Sequence, residues 1–115
     1  MKRLLLALMA VGLAACAGAH QAAPEDPAAA IAADGRDIAE AQCAGCHAVG
    51  AYGESPNRAA PVFRHVLARY RPEVLEEELI AGIQVAHPMP EFHFNPQGAD
   101  ALIAYLQSIQ QPAGE

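Results

Sequence analysis

Apolar residues recur at helical spacing in several stretches between residue 34 and residue 110. Asp34 is placed to cap a short helix that runs to about Ala44, with Ile38 and Ala41 on one face. Later apolar residues are three and four positions apart, as the inner face of a helix requires. These residues are Phe63, Val66, Leu67 and Tyr70, then Leu75, Leu79 and Ile83, and finally Leu102, Tyr105, Leu106 and Ile109. The pattern predicts an all-α domain with long loops at 48–62 and 84–95.

Prolines and capping residues set the predicted helix ends. Pro72 stands where the first residue of one helix is expected, and Asn95-Pro96 offers a cap followed by proline for the last helix. Gly82 and Pro88 are expected to break the first of these helices, and the last helix is expected to stop before Pro112.

The N-terminus has the pattern of a secretory signal. Two basic residues precede an apolar run from 4 to 15, which is too short to span a bilayer core about 30 Å thick. The sequence Leu13-Ala14-Ala15-Cys16 resembles the bacterial lipobox, so we expect residues 1–15 to be removed and Cys16 to be lipidated. A cut after residue 19 is the alternative, and it would discard Cys16 with the signal.

The segment between the signal and the first predicted helix is rich in alanine and proline. Residues 16–33 contain few large apolar side chains, which is typical of a tether. A helix from Pro27 through Ala33 is the alternative. The predicted domain then covers 34–110, and 111–115 form a tail.

Composition and charge narrow the function classes. The chain has 115 residues and is 53% apolar, but 27 residues are alanine, there is no tryptophan, and only three phenylalanines and three tyrosines are present. One small domain with so few large side chains needs a cofactor, a metal or a partner to complete its core. Once the signal is removed, five arginines face 13 acidic residues for a net charge of −8, and no lysine remains. An acidic chain is repelled by nucleic acid, so we expect no nucleic-acid partner. We expect protein partners with a basic docking patch.

The chemistry is concentrated in Cys43-Ala44-Gly45-Cys46-His47. Two thiols three positions apart can form thioether bonds with the two vinyl groups of a haem, and the following imidazole is an iron ligand, so Cys-x-x-Cys-His is the signature of one covalent haem c. A thioredoxin-like redox pair would need a strand before the motif. A structural zinc site would need four ligands, with His65, His87 or His93 completing it.

With this motif the chain resembles the class I bacterial c-type cytochromes over residues 34–110. A later Met-Pro and a last helix containing Leu102-Ile103-Ala104-Tyr105-Leu106 support the resemblance. It implies a cytochrome c-like bundle of three to four short helices wrapped around the haem. It also implies that the first and last helices cross closely, with Gly35 or a nearby alanine receiving Tyr105.

Met89 is the predicted second axial ligand. It is the only methionine left after removal of the signal, and it stands between Pro88 and Pro90, which restrict the backbone that presents the sulfur. The resemblance places the distal methionine in such a loop before the last helix. His87 and His93 are the alternatives, since imidazole also binds iron.

Other contacts with the haem follow from the resemblance alone. It implies that the Pro61 carbonyl accepts a hydrogen bond from the proximal imidazole, although Ala60 stands where the family often has glycine. The haem propionates have four candidate partners, and spacing favours none of them. These candidates are Arg58, Arg64, Tyr52 and Tyr70.

The expected function is single-electron transfer. A haem whose axial positions are filled by histidine and methionine has no open site for substrate, so we expect an electron carrier and not an enzyme. The signal predicts the periplasmic side of a bacterial membrane, with the soluble periplasm as the alternative. A fixed haem subunit of a periplasmic oxidoreductase and a haem-based sensor of small ligands are the two other functions that fit.

Overall fold

The computed structural model describes residues 26–85, 87 and 89–112. Within these ranges the chain is all-helical and contains no strand, which confirms the predicted fold class. The elements are α1 (Pro27–Gln42), a 3₁₀ helix (Phe63–Ala68), α2 (Pro72–Ala81) and α3 (Pro96–Ile109).

Helix α1 begins at Pro27, seven residues before the predicted start at Asp34. The Asp26 side chain accepts a hydrogen bond from the Ala28 N–H at 3.0 Å, and Pro27 has no N–H that would need a partner in the first turn. Residues 27–33 are therefore helical and do not belong to the predicted tether over 16–33. The alternative helix from Pro27 is correct, and it continues to Gln42. The predicted signal, Cys16 and the tether as far as residue 25 lie outside the described residues.

The stripe from Phe63 to Tyr70 forms a 3₁₀ helix that ends at Ala68. With three residues per turn, positions three apart lie on the same side, and Phe63 and Val66 are both buried. Tyr70 lies beyond the end of this helix and is 40% exposed, so the helix is shorter than the stripe predicts.

Helices α2 and α3 begin at the predicted prolines. The Asn95 side chain accepts a hydrogen bond from the Gly98 N–H at 2.7 Å and caps α3. Gly82 ends α2 with a φ of 100°, a conformation that glycine adopts readily. Ile83 consequently lies outside α2, although it still packs against the core.

The core forms where α1 crosses α3, as the resemblance implies. Gly35 is the small residue at the crossing, because its backbone lies against Ala101 and Tyr105. The Tyr105 hydroxyl donates a hydrogen bond to the Val49 carbonyl oxygen at 2.8 Å. The same side chain thus packs the two helices together and fixes the start of the loop that follows the cysteine motif.

The end of α3 is tied to the 3₁₀ helix by two glutamines. The Gln110 amide donates to the Phe63 carbonyl oxygen at 2.8 Å, and its side-chain oxygen accepts from the Leu67 N–H at 3.1 Å. The Gln111 N–H donates to the Arg64 carbonyl oxygen at 2.9 Å. Residue 111 therefore belongs to the domain, and the predicted tail over 111–115 begins too early.

Replacing Gln110 by alanine should lower the free energy of unfolding by about 2 kcal/mol, because a half-buried N–H and a carbonyl would lose their partner. Gln107→Ala is the matched control, since Gln107 is an exposed residue of α3 and its change should stay within about 0.5 kcal/mol. Denaturant unfolding followed by circular dichroism measures both. Equal stabilities for the two variants would show that Gln110 does not hold these elements together.

Candidate cofactor site

The cysteine motif forms a tight turn at the end of α1. Cys43 follows the last helical residue, and its N–H still donates to the Ala39 carbonyl oxygen at 2.9 Å. The N–H groups of Cys46 and His47 then both donate to the Cys43 carbonyl oxygen, at 3.1 and 2.9 Å. Because one carbonyl oxygen accepts both hydrogen bonds, the two thiols and the imidazole lie within a single turn of the chain.

The two thiols differ in their surroundings. Cys43 is buried and Cys46 is exposed. Burial raises the pKa of the Cys43 thiol to about 11, so this sulfur is protonated at neutral pH in the chain alone. One cysteine is thus part of the core, while the other lies at the rim of the site.

His47 is held by a hydrogen bond between its Nδ1 and the Pro61 carbonyl oxygen, 2.8 Å apart. A carbonyl oxygen only accepts, so Nδ1 carries the proton and Nε2 keeps its lone pair for a metal. The Phe63 ring lies 5.0 Å from the imidazole, centroid to centroid. The hydrogen bond implied for Pro61 is therefore present, and it orients the ring as the outer partner of a metal-binding histidine does.

Burial also favours the neutral imidazole. Desolvation lowers the pKa of His47, the Pro61 carbonyl acts in the opposite direction, and the nearby His87 lowers it again. A neutral imidazole is the form that binds a metal.

The motif opens onto a cavity of about 660 Å³. This volume lies in the range of cofactor pockets, about 300 to 1,000 Å³. Both cysteines and His47 line one side of the cavity. Buried apolar side chains from three elements form much of the rest, namely Phe63, Val66, Leu75, Leu79, Leu102 and Leu106.

The loop after α2 supplies the remaining wall. Ile83 and Phe94 also line the cavity, and the Phe94 N–H donates to the Leu79 carbonyl oxygen of α2 at 3.4 Å. Both Met89 and His87 line the cavity from this loop. His93 is exposed and is absent from the cavity lining, so of the two alternative histidines only His87 reaches the site.

Two of the four candidate partners of the haem propionates line the cavity. Arg58 and Tyr70 line the cavity, whereas Tyr52 is 87% exposed. The Arg64 guanidinium donates to the Gly53 carbonyl oxygen at 2.7 Å, so it stabilises the loop that follows the cysteine motif.

Sequence reasoning missed Arg69, which also lines the cavity. The sequence offered one signal for Arg69. It follows Val66 by three residues, which is one turn of a 3₁₀ helix, so its side chain is expected on the same side as that of Val66.

The alternative uses of the motif have little support among the described residues. Residues 26–42, the described part of the chain before Cys43, contain no strand, whereas a thioredoxin-like pair needs one. Within 26–85, 87 and 89–112 no three His, Cys, Asp or Glu side chains are grouped to hold a metal ion, as a structural zinc site requires.

Residues 30–106, which are well over half of the chain, match the family model described as cytochrome c oxidase, cbb3-type, subunit III. No curated protein and no solved structure matches the chain at a significant level. No helix in the described part of the chain is long and apolar enough to cross a membrane.

Proposed function

Because this chain belongs to the c-type cytochrome family whose model it matches, and that family carries covalently bound haem c, we propose that it is an exported monohaem carrier of single electrons. In this proposal Cys43 and Cys46 hold the haem through thioether bonds. His47 and Met89 would bind the iron. The haem iron supplies a one-electron couple when it is bound.

The residues of the cavity fit such a group. A porphyrin is large, flat and mostly apolar, and apolar side chains from three elements line a cavity of about 660 Å³. The donor set combines two thiols on one turn with an imidazole whose Nε2 is free. The observation that carries the proposal is the hydrogen bond from His47 to Pro61, since it leaves the metal-binding nitrogen unprotonated beside both cysteines.

Each residue of the site has a distinct part in electron transfer. The Pro61 carbonyl fixes the His47 ring and raises its basicity as a ligand. Met89 contributes a neutral thioether, which favours the reduced state and raises the reduction potential. The apolar side chains that line the cavity would lower the polarity around the haem and so strengthen its electrostatic interactions with the protein. Exposed Cys46 lies at the rim, where a partner protein would approach.

The proposed location is the periplasmic side of a bacterial membrane, with Cys16 as a lipid anchor. The signal-like N-terminus supports export, and thioether attachment suits a compartment where free thiols would otherwise oxidise. Redox partners with a basic docking patch would complement the acidic chain. Exposed carboxylates of α2 contribute to this charge, among them Glu73, Glu77 and Glu78.

A second candidate is a haem subunit fixed in a larger oxidoreductase. The description of the matched family names an oxidase subunit, and that wording is what favours it. Purification of the chain from native membranes would separate the two proposals. A catalytic protein that stays bound through chromatography supports the subunit, whereas a chain that elutes alone supports the carrier.

Replacing Met89 by alanine in protein matured with its haem should lower the reduction potential. The expected drop is on the order of 0.1 V or more, within the roughly 0.8 V that axial ligands span. The far-red sulfur-to-iron absorption band of the oxidised protein should also disappear. Spectroelectrochemical titration measures both effects.

His93→Gln is the control for Met89→Ala, since His93 lies outside the cavity and its replacement should leave the band in place. A Met89→Ala protein with the wild-type band and potential would remove Met89 from the axial position. Matured wild-type protein without a haem spectrum would overturn the proposed function as a whole.

A further inference from the structure

His87 brings a buried nitrogen without a partner into the cavity. Its Nε2 is buried and makes no hydrogen bond with the described residues. Buried polar atoms nearly always have a partner, so one without any calls for an explanation. The side chain lines the same cavity as the cysteine motif, where an iron ligand is needed.

The two imidazoles of the cavity are close together but not hydrogen-bonded. The rings of His47 and His87 are 5.5 Å apart, centroid to centroid, with an angle of 71° between their planes. The Nδ1 of His47 is already engaged with Pro61, so its Nε2 is the nitrogen left for a metal. Two imidazoles on opposite sides of one metal ion have centroids roughly 6 Å apart, given metal–nitrogen distances of about 2 Å. The observed separation is near that value.

His87 shares its loop with the predicted methionine ligand. Each of the two residues is followed by a proline, which disfavours a helical backbone at both positions. Residues two apart in an extended segment face the same side, and both side chains do line the cavity. One short segment therefore offers the iron a thioether and an imidazole.

We propose, on the basis of the function proposed above, that His87 is a second distal ligand held in reserve. Whenever the Met89 sulfur leaves the iron, the His87 Nε2 takes the vacated position. The exchange breaks one iron–sulfur bond and forms one iron–nitrogen bond, and both bonds use a lone pair of the ligand. Neither an electron nor a proton is transferred when the His87 proton resides on Nδ1.

This exchange gives the protein two six-coordinate states. The state with two imidazoles has the lower potential, because imidazole stabilises the oxidised iron more than a thioether does. Neither state leaves an open position, so small ligands such as carbon monoxide are excluded from both. Loss of the thioether therefore lowers the driving force for reduction without opening the iron to gases.

The experiment compares three full-length variants matured with haem, namely Met89→Ala, Met89→Ala/His87→Gln and Met89→Ala/His93→Gln. Electron paramagnetic resonance reports the spin state of the oxidised proteins, and carbon monoxide titration reports an open site in the reduced ones. We expect Met89→Ala to be low-spin and to resist carbon monoxide. The His87→Gln double variant should be high-spin and bind carbon monoxide at least about tenfold more tightly, because apparent affinity scales with the open fraction. The His93→Gln double variant should behave like Met89→Ala.

A low-spin state that survives His87→Gln, or a Met89→Ala protein that is already high-spin, would overturn the exchange. Near-infrared magnetic circular dichroism of Met89→Ala alone reports the two axial donors directly, so the proposal stays testable if a double variant does not mature. Two imidazoles support it, and an imidazole with water overturns it. Failure of the exchange leaves the wild-type haem and its sulfur band intact, whereas failure of the proposed function removes them.

Discussion

Replacing Cys43 and Cys46 together by alanine is expected to give a chain without covalent haem that does not hold its fold. The cavity beside these residues measures about 660 Å³. Without a haem, the apolar side chains that line this cavity would face water, and burial of apolar surface is the main favourable contribution to folding. A domain of this size is stable by only about 5 to 15 kcal/mol. We therefore expect the helices to depend on the haem, which thioether bonds to the two cysteines would keep in place.

Haem staining after denaturing electrophoresis and far-ultraviolet circular dichroism measure this result for the double variant. Gly45→Ala is the matched control within the motif, because a Cβ at Gly45 would meet nothing within 4 Å. It should keep both the stain and the helical signal. Covalent haem in the double variant would disprove attachment through these two sulfurs.

Gly35→Ala is expected to lower the free energy of unfolding by about 3 kcal/mol, the upper end of the usual cost of overpacking. A Cβ at Gly35 would overlap the Ala101 carbonyl group and lie 2.9 Å from the Tyr105 Cβ. Intrinsic helix propensity alone would favour the alanine by about 1 kcal/mol. Steric overlap outweighs that gain, because the atoms in the way belong to the backbone of α3 and cannot rotate aside.

Thermal unfolding of the haem-loaded protein tests the crossing of α1 and α3. A loss of about 3 kcal/mol corresponds to a melting temperature roughly 12 to 24 °C lower for a domain of this size. Gly50→Ala is the control, since a Cβ there would have open space, and its melting temperature should stay close to that of the wild type. If Gly35→Ala melted with the control, the two helices would not meet at Gly35.

Helix starts could be predicted from the sequence where the signal was local. Proline at the first helical position acts within one turn and placed the starts of α2 and α3 correctly, and for α3 the Asn95 cap was a second local signal. The same logic gave two candidates for α1, Asp34 and Pro27. Only the structure selects Pro27, because a helix that is packed against α3 gains stability from its whole length and includes residues whose own pattern looks like a tether.

For the site, too, the sequence predicted the residues that are close together in the chain. Cys43, Cys46 and His47 lie within five consecutive residues, so their chemistry could be inferred without any fold. The hydrogen bond of Pro61 with His47 spans fourteen residues and was expected only through resemblance to a family. Arg69 was not predicted. The sequence also did not indicate that His87 lines the cavity and His93 does not, because a loop without periodicity does not show which side chains point inward.

By itself the sequence determined the helical class, the haem-attachment motif, the acidic charge and the presence of a single methionine near the last helix. These are properties of composition and of short spacings, which chain connectivity alone enforces. The tertiary structure decided that Gly35 is the crossing point, that Gln110 and Gln111 bind the end of α3 to the 3₁₀ helix, and that His87 joins Met89 at the cavity. These contacts join residues far apart in the chain, and they exist only because packing around one shared cavity brings the separate segments together.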